Sequence, residues 1–179
     1  MRKVVEVPRN YYARVHEARY QAILGAGAVF REGGMSEHVL PHWQQFVAAE
    51  AVSGGERGVE AGSGTGINAL HIAASGMPMT GLDISPTVAA RARQLAEERG
   101  LNARFVAGDM FHAPFADGAF DFAANIWTLH AVGEQDLRHR SLAEMWRVLR
   151  PGGRLFLHNE RSTEDAGAGD VVTVEADAW

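Results

Sequence analysis

Three carboxylates and a run of glycines carry most of the chemistry this sequence can offer. The stretch GVEAGSGTGINALHIAA, residues 58–74, places Gly62, Gly64 and Gly66 at alternate positions just after Glu60. Glycines so spaced let a backbone turn sharply and bring its amides close to a ligand. Asp83 follows in GLDIS, about 20 residues beyond the first of these glycines, and Asp109 stands in FVAGDMF. Carboxylates at such places accept hydrogen bonds from hydroxyl and amine donors. The loop does not fit a phosphate cradle, because no Lys-Ser or Lys-Thr follows its glycines. Nor does it fit a dinucleotide loop, since the third small residue counted from Gly62 falls at Ile67. The pattern therefore favours a ligand with hydroxyl and amine donors and no pyrophosphate. His130, in IWTLHAV, adds an imidazole that can take a proton.

Short apolar strands alternating with helical patterns must position these residues, which is the signature of a parallel α/β sheet. RGVEA, MTGLDI, ARFVAGD, FDFAANIW and RLFLHNE are the five strand candidates. Each chemically interesting residue then falls at or just past the carboxyl end of a strand, where open α/β sheets bind ligands. INALHIAA puts Ile67, Leu70 and Ala74 on one helical face, with Gly76 as a stop. SPTVAARARQLAEERG predicts a helix capped by Ser85, with Pro86 at its first position, Val88, Ala92 and Leu95 inward, and Gly100 at its close. DLRHRSLAEMWRVLRPGG predicts another, facing the sheet through Leu142, Met145, Trp146 and Leu149 and broken by Pro151-Gly152-Gly153. Residues from about 9 to 52 read as two or three helices divided near EGGMS.

Composition sets the outer bounds. The 179 residues suit one compact domain, with residues 1–52 as a helical lid or substrate segment and 53–179 as the ligand-binding α/β part. The 46% hydrophobic and 22% charged residues are those of a globular chain, and a net charge of −5 argues against nucleic acid as the main partner. There are no cysteines, which excludes disulfides and thiolate metal sites. With no signal-like or membrane-length apolar run, a cytoplasmic protein without a membrane partner is expected. His38 and His42 lie four apart, as metal ligands on a helix do, but no third ligand stands near them and no metal is expected. Arg2, Lys3, Arg9, Arg14, Arg19 and Arg31 outnumber Glu6 and Glu17 at the N-terminus; this reads as a solvated face, the alternative being a role in meeting an anionic acceptor or a cofactor carboxylate.

Glu60-Ala61-Gly62-Ser63-Gly64-Thr65-Gly66, an acid followed by three alternating glycines, resembles motif I of the class I S-adenosylmethionine-dependent methyltransferases. GLDIS, FVAGDMF, FDFAANIWTLHAV and LAEMWRVLRPGGRLFLHNE follow in the order found in small-molecule members of that family, of the UbiE and phosphoethanolamine type. The resemblance implies a Rossmann-like, doubly wound, mostly parallel sheet of order 3-2-1-4-5 with an N-terminal helical lid. It implies S-adenosylmethionine as cofactor, S-adenosylhomocysteine as product and a small-molecule acceptor. Asp83 would take the ribose hydroxyls, Asp109 the adenine amino group, Met110 and Ile84 the adenine ring, with Gly108 beside them. Gly62, Ser63, Gly64 and Gly66 would admit the methionyl part, Glu60 would help orient its ammonium, and Asn125 would join the cofactor site from the fourth strand. From the lid, Tyr20 would stand near the cofactor, while Tyr12 would pair with His130, the candidate catalytic base.

Two rival readings remain at this point. A nicotinamide-dependent oxidoreductase would need the dinucleotide loop that is missing. A non-catalytic cofactor-binding scaffold of the same fold is the other, and the short tail favours keeping it. The class I fold usually adds a helix and an antiparallel strand pair after strand five, whereas about 19 residues follow Glu160 and DVVTVEADAW supplies one strand at most. The C-terminal strands thus read as truncated, and an uncovered sheet edge invites a homo-oligomer or strand exchange.

Overall fold

The computed structural model describes residues 10–25 and 35–159. Five parallel strands form one sheet in the order β3-β2-β1-β4-β5. They are β1 (Gly58–Ala61), β2 (Met79–Asp83), β3 (Ala103–Ala107), β4 (Phe120–Ile126) and β5 (Leu149–His158). Every residue of β1 and β2 is buried, as expected of central strands covered on both faces.

The helices are α1 (Tyr11–Gly25), α2 (Leu40–Ala49), α3 (Ile67–Ala74), α4 (Pro86–Glu98) and α5 (Gln135–Val148). One face of the sheet packs against α2, α3 and α4 through Phe105, Phe122 and Phe156, and the other packs against α5 through Val59, Ala123 and Leu155. The α4 start is as its sequence dictates: the Val88 amide donates to the Ser85 hydroxyl and Pro86 opens the helix. The α3 stripe differs from the one expected. Ala69, Leu70, Ile72 and Ala73 are its buried residues, whereas Ala74 is exposed.

Two boundaries also differ. Pro151-Gly152-Gly153 ends the helical pattern, yet β5 already pairs at Leu149, and the turn is absorbed as a register shift opposite Phe120–Phe122. Gly152 sits at φ +70°, a conformation that suits glycine. Within the expected lid segment, α2 is part of the core: Trp43 and Phe46 are buried, and the Trp43 ring lies 5.3 Å from that of Phe156. The helix α1 has no buried residue and lies across the top of the sheet. The tail expected to form a strand, with Glu160, lies outside the described residues, as do Arg2, Lys3, Arg9, Arg31 and part of the EGGMS division. No described helix is long and apolar enough to cross a membrane.

Candidate active site

A cavity of about 460 Å³ opens at the carboxyl ends of β1, β2 and β4, roofed by α1. Tyr12, Tyr20, Gly62, Ser63, Gly64, Asp83, Ile84, Gly108, Asp109, Met110 and His130 all line it. Glu60, Gly66 and Asn125 do not; they build the frame behind it.

The loop after β1 is fixed from below. Gly64 is held at φ +52°, and its amide donates to Asp83 Oδ2 at 2.8 Å. A Cβ added there would meet only the Tyr20 hydroxyl, at 3.1 Å, so this is the glycine whose bare face borders the cavity. Gly62 is different, because its added Cβ would strike Thr128 at 2.2 Å. Gly66 caps α3 and fits against the Phe105 ring, at 2.5 Å from such a Cβ. These two glycines are required by protein packing, and Gly64 by the open space.

Asp83 is nearly buried and also accepts from the Ser85 amide at 3.0 Å. Burial raises its pKa, opposed by these two amide hydrogen bonds. Each of its oxygens keeps a further lone pair for donors in the cavity. Asp83→Ala removes that charge-assisted contact, and an adenosine ligand is expected to bind about 1.5–3 kcal/mol more weakly. An unchanged dissociation constant in calorimetry would remove Asp83 from the site.

Glu60 is fully enclosed and accepts from Asn68 Nδ2 at 2.9 Å and from the Ala69 amide at 3.1 Å. It therefore ties the loop to the first turn of α3. Burial first, and the neighbouring Asp83 charge to a lesser degree, push its pKa up to about 8. The folded protein thus holds a proton that the unfolded chain releases near pH 4.5. Stability from this group is present below that pH and is lost as pH rises towards 8. Chemical denaturation at pH 5 and at pH 8 should show the decline, and Glu60→Gln should flatten it.

Asn125, fully buried, donates to the Ala61 carbonyl at 3.2 Å and accepts from the Leu129 amide at 3.2 Å. It joins the end of β1 to the short 3-10 turn, Leu129–Ala131, that presents His130 at the cavity. Asp109 accepts from the Phe111 amide at 2.8 Å. The loop after it is clamped by Arg147, which donates to the carbonyls of Ala113 and Phe115 at 2.9 and 2.8 Å.

The roof adds residues that the motifs did not single out. His16 and Arg19 line the cavity beside Tyr12 and Tyr20. Tyr12, His16 and Tyr20 form one stripe, with ring centroids 6.3 and 6.5 Å apart, and their four-residue spacing was visible in YYARVHEARY. Burial and the Asp83 charge push the Tyr20 hydroxyl up to about 12. Two ties hold α1 down. Glu17 accepts from the hydroxyls of Ser85 and Thr87 at the start of α4. The Tyr12 hydroxyl donates to Glu134 at 2.5 Å and accepts from the Gly133 amide at 3.0 Å. The Tyr12 hydroxyl, expected to meet His130, thus bonds Gly133 and Glu134, three and four residues beyond it. His38 is exposed, with its Nε2 3.9 Å from Glu37 Oε1, and no group of three or more His, Cys, Asp or Glu suited to a metal occurs among the described residues.

Residues 59–157 match the family described as a methyltransferase domain, which is more than half the chain. The chain belongs to the methyltransferase domain family. A demethylmenaquinone methyltransferase of Thermus thermophilus is 38% identical over 104 residues, covering 57% of this chain and 46% of the relative. One from Deinococcus radiodurans is 36% identical over 118 residues, covering 64% and 48%. The chain spans about half the length of the curated relatives it matches. Among solved structures, a SAM-dependent methyltransferase from Methanosarcina mazei is 30% identical with a TM-score of 0.58, covering 62% of this chain and 55% of that one. The [4+2]-cyclase SpnF superimposes with a TM-score of 0.66 at 27% identity, covering 87% and 63%. This methyltransferase domain therefore shares its fold with proteins of more than one activity.

Proposed function

We propose that this chain transfers the methyl group of S-adenosylmethionine to a small-molecule acceptor. The observation that carries this reading is the Gly64 amide anchored on Asp83 at one cavity, with Asp109 on the same wall. The residues fit the cofactor. Gly64 leaves bare space where a methionyl chain needs it, and the carboxylates suit ribose hydroxyls and an adenine amino group. Ile84 and Met110 supply apolar surface for the adenine ring, and Ser63 stands with Gly64 on the methionyl side. Arg19, on the roof, is the one arginine or lysine lining the cavity among the described residues and suits the cofactor carboxylate, and Tyr20 closes over the loop. No phosphate-binding element is required.

The bound cofactor supplies an already activated sulfonium methyl. The chain's own task is to align the acceptor, exclude water and take up a proton where the acceptor has one to lose. We assign that proton transfer to His130, which is exposed at the cavity on a turn fixed by Asn125. Tyr12 latches the roof onto the segment just beyond it. A hydrogen bond of this kind contributes about 0.5–1.5 kcal/mol. Tyr12→Phe should therefore release S-adenosylhomocysteine faster, by about 2–10-fold in stopped-flow fluorescence, and an unchanged rate would separate Tyr12 from the latch.

The likeness to a [4+2]-cyclase makes the product the deciding quantity. Incubated with S-adenosylmethionine and a metabolite extract, the protein should form S-adenosylhomocysteine and a compound heavier by one methylene, both detected by mass spectrometry. Tight cofactor binding with neither product would favour a scaffold or a non-methylating activity. The outer edge of β5 is further proposed to pair with a second copy of the chain, which a light-scattering mass equal to one chain would contradict.

A further inference from the structure

Trp127 stands in a conformation that its residue type disfavours. Its backbone sits at φ +53°, in the left-handed region that bulky side chains avoid. Such strain persists only where the surrounding structure over-determines it, and it gathers at functional sites. Here the Trp127 amide donates to the His158 carbonyl at 2.8 Å, and the indole packs edge to face with the buried His158 ring at 6.1 Å. Trp127 is nevertheless 37% exposed and lines the cavity, whereas Tyr11 and Val15, the other large exposed apolar residues described, do not line it. A large aromatic left uncovered at a cavity wall, at a cost in strain, can pack against a ligand that the cavity takes up.

The strand order divides the cavity. Asp83 ends β2, Asp109 follows β3 and Gly64 follows β1; these are the residues proposed for the adenosyl and methionyl parts of the cofactor. The strand β4 lies on the other side of β1, and Ile126, Trp127, His130, Ala131 and Val132 line the cavity from its end and from the turn after it. None of these five has a cofactor role. Thr128, between them, commits its hydroxyl to the Gly62 and Ile126 carbonyls. That wall is therefore apolar and aromatic around His130, and the carboxylates that line the cavity, Asp83 and Asp109, stand across β1 from it. The Phe111 and Tyr12 rings, edge to face at 5.9 Å, line the same cavity and add aromatic surface.

We propose that Trp127 selects the acceptor, its indole packing against a planar, uncharged ring that the acceptor presents beside His130. This rests on the methyl-transfer reading above. A planar ring meets an indole in offset-stacked or edge-to-face contact, and such pairs gain more than the area they bury. A puckered ring of the same size gains only the burial. Trp127 positions the acceptor and handles no proton, so its contribution is to which acceptor binds.

The test uses protein saturated with S-adenosylhomocysteine and two probes that share one polar group: benzyl alcohol, with a flat ring, and cyclohexylmethanol, with a puckered one. Cyclohexylmethanol is the more hydrophobic, so a wall that offered burial alone would favour it. Saturation-transfer NMR titrations should instead give benzyl alcohol binding that is tighter by about threefold or more. Trp127→Asn should erase that preference, and Trp127→Phe, which keeps a flat ring, should retain it. Asparagine tolerates the left-handed region, so Trp127→Asn should leave the melting temperature unchanged or raise it. A fall in melting temperature, or a variant that does not fold, would show the indole to be a packing residue and would overturn the proposal. Equal affinities in the parent protein, no probe binding, or a preference that survives Trp127→Asn or is lost in Trp127→Phe would do the same. So would benzylammonium binding more tightly than benzyl alcohol, which would mark the wall as a cation–π site. Failure of S-adenosylhomocysteine itself to bind would overturn the cofactor reading, and this proposal with it.

Discussion

Gly64→Val is expected to abolish S-adenosylmethionine binding at concentrations that saturate the parent protein. Gly64 occupies φ +52°, where a β-branched side chain is strained by about 1–2 kcal/mol. Its amide must stay where it is to reach Asp83. The new methyl groups would then project toward the Tyr20 hydroxyl and the space assigned to the methionyl chain. The strain lowers stability with or without ligand, and exclusion from that space is expected to cost about 2.7 kcal/mol of binding, a loss of about 100-fold or more in affinity. Calorimetry checks it, with circular dichroism confirming that the variant folds. Gly62→Val is the contrasting control: its side chain meets Thr128 within the protein, so it should lower the melting temperature whether or not a ligand is present. Normal binding by Gly64→Val would mean that the loop is misassigned.

His130→Ala should lower kcat by at least about tenfold while cofactor affinity changes little. Removal of a positioned general base typically costs about 100- to 10,000-fold when proton transfer limits the rate, and less when methyl transfer does. His130 is exposed at the cavity, and its turn is fixed through Leu129 and Asn125 rather than through its own ring. Alanine should therefore leave the turn intact, and dissociation constants for S-adenosylhomocysteine should stay within about twofold. Full activity on the true acceptor would refute the role. Tyr12 bonds Glu134 and Gly133 in the adjoining turn, so coupling between Tyr12 and His130 passes through backbone. A Tyr12→Phe/His130→Ala double variant no worse than His130→Ala alone would show that they act as one unit.

The sheet order and most of the cavity wall were legible because strand, turn and helix signals agree along residues 58–158. Asp83, Asp109 and Gly64 fell where the periodicity put them, at strand ends. Motif position could not separate residues that border the cavity from those that brace it. Glu60, Gly66 and Asn125 belong to the same motifs, but their side chains or bare Cα point into packed protein. That difference depends on neighbours distant in sequence, such as Phe105 for Gly66. The role of α2 was hidden for a similar reason: Trp43 and Phe46 find their partners in Phe122 and Phe156. Glu17 gave no local signal of its role as a tie, since Ser85 and Thr87 stand 68 and 70 residues away. His16 did give one, in its spacing between two tyrosines. Trp127, just past β4 at φ +53°, left no trace of that conformation in residue type.

The most direct measurement is one calorimetric series with S-adenosylmethionine, S-adenosylhomocysteine and NAD on the same protein. Both adenosyl ligands are expected to bind at a single site, NAD is expected not to bind, and Asp83→Ala is expected to weaken both. Binding of NAD alone, or no binding of either adenosyl ligand, would contradict the methyl-transfer reading.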